Sequence, residues 1–374
     1  MQDFLPFTRP TIDDETIAAV GAVLRSGWIT SGPQTQELER ALAAYLGPGR
    51  EVRLMTSATG GLEMALKAVG VGPGDEVVVP AMSFAASANV VVRLGARPVF
   101  VDVELRSRNA SAAGIAAALS PRTRAIMPVH FAGLAADLDP LLTLARERGL
   151  RVVEDAAHAI GTRYRGRLVG SFGDIACFSF HANKNMTMIE GGALSYADPT
   201  LTLPLERERF HGITKDATGN VDVFASGGKY NLTDVAAAVG LGQLRRLEAF
   251  NARRRELARH YFARLGPSVD PETLPLPGDD GHSWHLFALL LPLARLGCTR
   301  DDFIARMRAR GVGIGVHYPS IPGLTYYRQL GWDPAAFPNA ARIGAETVTL
   351  PLFPAMSTGD VDRVCDGLLE LLHC

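Results

Sequence analysis

Between about residues 50 and 200, short apolar runs alternate with stretches of helical periodicity, and this rhythm leaves few architectures open. It is the pattern of βαβ units, which bury a mostly parallel sheet between helices. An α/β core follows, with strands expected at 76–80, 98–103, 125–129, 151–154, 175–180 and 193–196 and helices between most of them. Local chemistry marks some helix starts. Asp139 followed by Pro140 reads as an N-cap with proline at the first helical position, and Ser357 with Asp360 resembles a capping box.

At 374 residues, against roughly 150 per domain, the chain has room for two domains or for one large domain with an appendage. From about 233 to 265 it is rich in Ala, Leu and Arg, with two glycines and no proline. That stretch is expected to form one long helix joining two domains, with a possible interruption at Gly240-Leu241-Gly242. The division expected is 1–245 for a large domain that includes the N-terminal segment and 246–374 for a smaller α+β domain. In the latter, 267–281 is loop, 284–292 a strand and 360–372 the last helix. The segment ending in Gly27–Pro33 is helix followed by turn.

Composition excludes several classes of function. Hydrophobic residues make up 47% and charged residues 21%, with a formal net charge of -1, so neither disorder nor a nucleic-acid-binding surface is expected. The apolar runs at 76–80 and 287–292 are far shorter than the ~20 residues that cross a bilayer. The opening Met-Gln-Asp-Phe-Leu-Pro lacks a basic region followed by an apolar one, so the expected location is cytoplasmic, with no membrane contact. Cys177, Cys298, Cys365 and Cys374 have no CxxC spacing, which predicts reduced thiols and no metal site.

The chemistry concentrates around one lysine. The run from Cys177 to Gly192 passes from an apolar strand into a polar loop carrying Lys184, then into glycines and a second strand. Ligands of open α/β sheets gather outside the carboxyl ends of strands. A lysine partly desolvated there has its pKa lowered towards ~7–8 and becomes competent for Schiff-base chemistry. Taken by its position alone, the same residue reads more readily as a solvated loop lysine. Asp155 ends the apolar run Val152-Val-Glu-Asp155, where a buried carboxylate is suited to keep a pyridine nitrogen protonated and the ring an electron sink. A helix cap or a metal ligand is the other use of such a residue.

Two further segments complete a site for pyridoxal 5′-phosphate (PLP). Thr56-Ser-Ala-Thr-Gly-Gly opens an amphipathic helix, whose free N–H groups and dipole suit a phosphate, with the hydroxyls of Thr59 and Ser179 as added donors. Pro80-Ala-Met-Ser-Phe-Ala85 follows another strand and offers Phe84 to stack on a flat ring, unless that ring belongs to the core.

In this order the segments resemble the DegT/DnrJ/StrS family of fold-type I, PLP-dependent sugar aminotransferases over nearly the whole chain. Ser26–Pro33, Gly72–Val77, Pro128-Val-His130, His211-Gly212, Gly315-Val-His-Tyr-Pro319 and Leu350-Pro-Leu-Phe353 look like further family signatures. The resemblance implies a large domain with a mostly parallel mixed sheet and a smaller C-terminal α+β domain. Lys184 would form the internal aldimine and move protons, Asp155 would pair with the pyridine nitrogen, and Phe84 would stack on the ring. His158 is similar to the residue near the ring hydroxyl. Ala58, Thr59 and Ser179 fall where the family holds the phosphate, and His317 and Tyr318 lie on the segment bordering the sugar.

The resemblance also implies a homodimer with shared active sites, in which the stretch Gly227–Asp234 reaches the neighbouring subunit's phosphate. Lys229 and Asn231 stand here in place of the common Asn and Arg, which leaves open which of the two makes the contact. Ala58 replaces a frequent glycine, and Met188-Ile189 replace small or hydroxyl residues. The expected reaction moves an amino group from L-glutamate or L-glutamine to a keto sugar, preferably a nucleotide-linked 4-keto sugar of the UDP type, with ping-pong kinetics. An aminocyclitol or 3-keto sugar is the alternative acceptor. Relatives that dehydrate deoxysugars carry histidine at the lysine position, and a non-catalytic regulatory protein of the same fold is opposed by the intact Lys184, Asp155 and Ser179.

Overall fold

The computed structural model describes residues 4–216 and 218–372, so Cys374 and the first three residues of the N-terminal segment lie outside the described residues. In chain order the large sheet contains β1 (Glu51–Met55), β2 (Glu76–Pro80), β3 (Arg97–Val101), β4 (Thr123–Ile126), β5 (Arg151–Asp155), β6 (Ile175–Ser179) and β7 (Gly192–Tyr196). They lie side by side as β1-β7-β6-β5-β4-β2-β3. β2 to β6 run parallel, while β7 is antiparallel to both of its neighbours, β6 and β1. β2 and β6 are buried at every position, as continuous apolar runs require.

β1 is the strand the sequence pattern does not announce. Glu51 and Arg53 alternate with buried Val52 and Leu54, so no continuous apolar run appears. Because β7 is reversed, its first residue, Gly192, sits opposite Met55 and Ser179, the last residues of β1 and β6. A Cβ on Gly192 would come within 2.7 Å of the Ala58 amide nitrogen. Glycine there lets the helix Ala58–Ala68 begin directly against the strand ends.

The long helix Asp234–Leu265 runs unbroken through Gly240 and Gly242. Those glycines are points of close approach: a Cβ would lie 2.5 Å from Leu38 at the first and 2.1 Å from the Thr16 hydroxyl at the second. Ala237 and Leu247 pack with Leu38, Leu54, Phe178 and Phe180 beside the large sheet. Leu257, Tyr261 and Leu265 belong to a separate core with Phe287, Val348 and Leu368. That second core is built on an antiparallel pair, β8 (Phe287–Leu290) and β9 (Thr347–Leu350), and on the helix Thr358–Leu372.

The Ser357–Asp360 capping box is present: Asp360 accepts from the Ser357 amide and hydroxyl, both at 2.8 Å, and its own N–H donates to Ser357 Oγ at 3.1 Å. Two of the boundaries that differ from the sequence reading have a plain local cause. The helix Leu138–Arg148 has Asp137, not Asp139, as its N-cap. Pro140 is accommodated because the first turn lacks intrahelical N–H partners in any case. The strand expected over 284–292 shrinks to β8, since Trp284 adopts a φ of 50° that no strand continues. Cys177, Cys298 and Cys365 are free thiols. Among the described residues no helix is long and apolar enough to cross a membrane.

Asp234, the first residue of the long helix, is buried and caps another helix some 200 positions away. Its Oδ1 accepts from the amides of Gly32 (2.8 Å) and Thr35 (2.9 Å) and from the Thr35 hydroxyl (2.7 Å), and its Oδ2 accepts from the Gln34 amide at 3.1 Å. The helix Pro33–Leu46 has no side-chain cap of its own at Gly32. Replacing Asp234 by Ala orphans these buried donors and is expected to cost at least about 2 kcal/mol, read as a fall in the urea unfolding midpoint. Asp234→Asn keeps the Oδ1 acceptor and should lose less.

Candidate active site

The carboxyl ends of the parallel strands and the start of the helix Ala58–Ala68 enclose a cavity of about 360 Å³. That is within the range of small-molecule sites. Lys184, Asp155, His158, Ser179, Ala58, Thr59, Phe84, His317 and Tyr318 all line it. Nine residues marked in the sequence, from five separate segments, therefore meet in one place. Lys229 and Asn231 do not line the cavity of their own chain. Lys229 is exposed, its Nζ 5.0 Å from the centre of the Phe210 ring, and it donates to Asn231 Oδ1. Asn231 bridges to Met55 at the end of β1 and donates to Ser31 Oγ at 2.7 Å.

Asp155 forms the floor as the last residue of β5, buried, with Cys177 of β6 as its sheet partner. Its Oδ2 accepts from Ser87 Oγ at 2.7 Å and its Oδ1 from the Ala157 amide at 3.2 Å. Because the Ser87 proton goes to the carboxylate, the Ser83 hydroxyl is the donor in the 2.9 Å Ser83–Ser87 pair. Burial pushes the Asp155 carboxyl above its usual range, against the opposing pull of these donors and of Lys184 and His130. Burial lowers the Lys184 amine to about 8, while the negative charge of Asp155 pulls it back up.

The wall opposite the helix start is aromatic and neutral. His158 Nδ1 accepts from the Ala132 amide at 3.3 Å, so the proton sits on Nε2 and is donated to Tyr318 Oη at 3.2 Å. Burial holds His158 well below the usual imidazole range and raises the Tyr318 phenol. His317, at about 3 for the same reason, pairs through Nδ1 with Thr349 Oγ1 at 3.0 Å and stacks on Phe7. Phe84 remains 56% exposed, a large apolar face turned to open space at the cavity and able to take a flat ring.

The structure adds residues that the sequence reading passed over. Ser83 and Ser87 support the carboxylate, and Ser87 lies one helical turn beyond Phe84, a spacing that could have flagged it. His181, Asn183 and Glu190 also line the cavity. His181 Nδ1 is 2.8 Å from Asn183 Oδ1, and its Nε2 is 3.6 Å from Glu190. Behind Lys184, Asn185 donates to Asn251 Oδ1 (2.8 Å) and to the Ser283 carbonyl (2.9 Å), and accepts from His285 Nδ1 (3.1 Å). Among the described residues no group of three or more His, Cys, Asp or Glu is placed to hold a metal ion.

A mixed sheet with this strand order, a half-buried lysine just beyond one strand, a buried carboxylate ending the next strand and a helix start facing both define a fold-type I PLP-dependent enzyme. The residues present suit that cofactor. The buried Asp155 calls for a cationic partner, the helix start for an anion, and exposed Phe84 for a ring. The chain belongs to the DegT/DnrJ/EryC1/StrS aminotransferase family, whose model matches residues 10–369. It is thus a PLP-dependent aminotransferase.

Solved structures agree over the full length. The aminotransferase TlmJ from Streptoalloteichus hindustanus is 34% identical, with 99% of each chain covered and a TM-score of 0.90. The PLP form of Spr1654 from Streptococcus pneumoniae is 32% identical, with 99% of each chain covered and a TM-score of 0.91. PseC from Helicobacter pylori, an aminotransferase involved in the biosynthesis of pseudoaminic acid, is 26% identical, with 100% of each chain covered and a TM-score of 0.92.

The chain has only four lysines, Lys67, Lys184, Lys215 and Lys229, and all but Lys184 are exposed. In cofactor-free protein, amine labelling resolved by peptide mass spectrometry is expected to give Lys184 a midpoint near pH 8. Asp155→Asn removes the charge that raises this amine, so the midpoint should move lower still. An unshifted midpoint would contradict the coupling.

Proposed function

We propose that this enzyme carries the amino group of L-glutamate or L-glutamine to a keto sugar, preferably a 4-keto sugar linked to UDP. One observation supports the catalytic assignment above others: the Lys184 amine and the Asp155 carboxylate, both desolvated, share one cavity with a phosphate-binding helix start. For the acceptor, support comes from the Lys229-Tyr230-Asn231 variant, which resembles the UDP-4-keto-sugar branch, and from PseC, whose work lies in the biosynthesis of pseudoaminic acid.

In this reading PLP, when bound, supplies an electron sink for the pair left on the donor Cα after its proton departs. Lys184 Nζ is the base that takes that proton, a role suited to an amine near 8 because an appreciable fraction is neutral at physiological pH. The Asp155 carboxylate, held by Ser87 and the Ala157 amide, keeps a positive charge at the ring nitrogen. Ala58 and Thr59, with Ser179, hold the phosphate, Phe84 stacks on the ring, and neutral His158, its Nε2 proton donated to Tyr318, lies beside it. His317 and Tyr318 border the acceptor. Two half-reactions that reuse one lysine give ping-pong kinetics.

The same reading includes a homodimer in which Lys229 and Asn231 serve the neighbouring subunit, and a division of the chain at 245/246. The arm formed by Ile213–Lys215 and Val221–Val223 supports the first point. Val221 (72%), Val223 (62%) and Phe224 (44%) lie exposed on or beside it, close in sequence to Lys229. An apolar cluster of this kind is typical of a surface covered by a partner.

Lys184→Ala is expected to lose both glutamate-dependent transamination and the visible absorbance of lysine-bound cofactor. A variant retaining full turnover would sink the assignment. A panel of UDP-, dTDP- and GDP-linked keto sugars then identifies the acceptor by amine formation. Mixing Lys184→Ala with an Lys229→Ala/Asn231→Ala variant should restore activity through hybrid dimers that keep one intact site. No restoration would mean that each subunit works alone.

A further inference from the structure

The turn after β3 carries a buried cation that the mechanism does not use. Arg108, at a φ of 59°, is only 3% exposed. Its Nη1 donates to the His317 carbonyl at 3.2 Å and to Thr347 Oγ1 at 2.7 Å, and its Nη2 donates to the carbonyls of Ala288 (3.3 Å) and Leu289 (3.0 Å). None of these four acceptors is a carboxylate. The guanidinium lies 5.4 Å from the centre of the Phe131 ring, and burial lowers it to about 9. Next to it, Asn109 Oδ1 accepts from the Phe131 amide at 3.0 Å, and Nδ2 donates to the Leu134 carbonyl at 3.1 Å.

A buried charge with only neutral acceptors is a poor way to gain stability, since an apolar side chain would fill the same space without desolvation. What an arginine adds is reach: a rigid fork of five donors that holds several acceptors in a fixed relation. Here the fork joins β8, the first residue of β9 and the backbone of His317. Its neighbour Asn109 holds Phe131, whose ring packs against His158 (5.9 Å) and Tyr318 (6.4 Å). Two consecutive residues thus grip both sides of the His158–Tyr318 contact.

We infer that Arg108 is a positioning residue that sets the place of the His317–Tyr318 wall and, through it, the fit of the acceptor substrate. The second half of this inference rests on the proposed reading that this wall borders the acceptor. Methionine at 108 keeps the packing on Phe131 and loses every bond of the fork. Lysine keeps a charge but cannot span three chain segments.

Hydrogen exchange of cofactor-free protein and steady-state kinetics of holoenzyme test the inference, with L-glutamate as donor and a UDP-4-keto sugar as acceptor probe. In Arg108→Met, exchange over residues 314–320 should rise about tenfold, as loss of the hydrogen bond to the His317 carbonyl implies, while β4 to β6 stay protected. KM for the acceptor should also rise about tenfold, with the glutamate half-reaction unchanged. Arg108→Lys should recover little, and Thr347→Val should shift both readouts in the same direction by less. Unchanged exchange over 314–320, or equal losses for donor and acceptor, overturns the inference. Faster exchange with an unchanged acceptor KM supports the anchoring and overturns instead the assignment of this wall to the acceptor. If Arg108→Met does not fold, Thr347→Val decides by the same criteria.

Discussion

Taking a carboxylate and an amine out of water at the ends of neighbouring strands costs roughly several kcal/mol per charge before any interaction between them is counted. Asp155 ends β5 and Lys184 lies in the loop that follows β6, so sheet pairing sets their elements side by side and the loop's own anchors fix the lysine. Each offsets the other's desolvation: the carboxylate raises the amine, and the amine lowers the carboxyl. The remainder is met by groups that cannot titrate near neutrality, the Ser87 hydroxyl and the Ala157 amide. A site of this kind is poised for a cationic ring and a reversible bond to nitrogen, because both relieve a burial cost already present in the protein.

The sheet topology makes that arrangement possible. Had β7 continued the parallel pattern, its carboxyl end would occupy the edge where Gly192 now lies. Reversal puts a glycine there, and the helix Ala58–Ala68 enters against its bare Cα, which brings amide donors to the same edge as the lysine and the carboxylate. Phosphate-binding capacity and charge are thus brought together by the direction of one strand.

How much of this was legible in the sequence depends on how local the cause is. β2 and β6 are covered on both faces and read as unbroken apolar runs, so their positions follow from periodicity. β1 owes its place to pairing with β7 and shows two of its five residues to solvent or to ion pairs such as Arg53–Glu206, which local periodicity cannot separate from a loop. Lys184, Asp155, Thr59, Ser179 and Phe84, distinctive side chains at or just beyond strand ends, were readable for the same reason and all line the cavity, whereas Ala58, His158, His317 and Tyr318 came from the family resemblance. Asn185, His285 and Arg108 were not, because an amide, an imidazole or an arginine acquires meaning only from a partner far away in the chain.

Those distant partners also explain why the lysine stands where it does. Asn185, the next residue, is held by Asn251 of the long helix and by Ser283 and His285 of the segment leading to β8. Arg254, one helical turn beyond Asn251, is buried like Arg108 and donates through Nη1 to the carbonyls of Trp284, His285 and Leu352. Two buried arginines bonded to carbonyls therefore fasten the second core to the rim of the cavity, one through the Lys184 side and one through the His317 side. Carbonyl acceptors suit this task better than carboxylates. They hold the chain without adding negative charge near a site whose floor already carries one carboxylate, and they leave Asp155 as the charge that the Lys184 amine answers to.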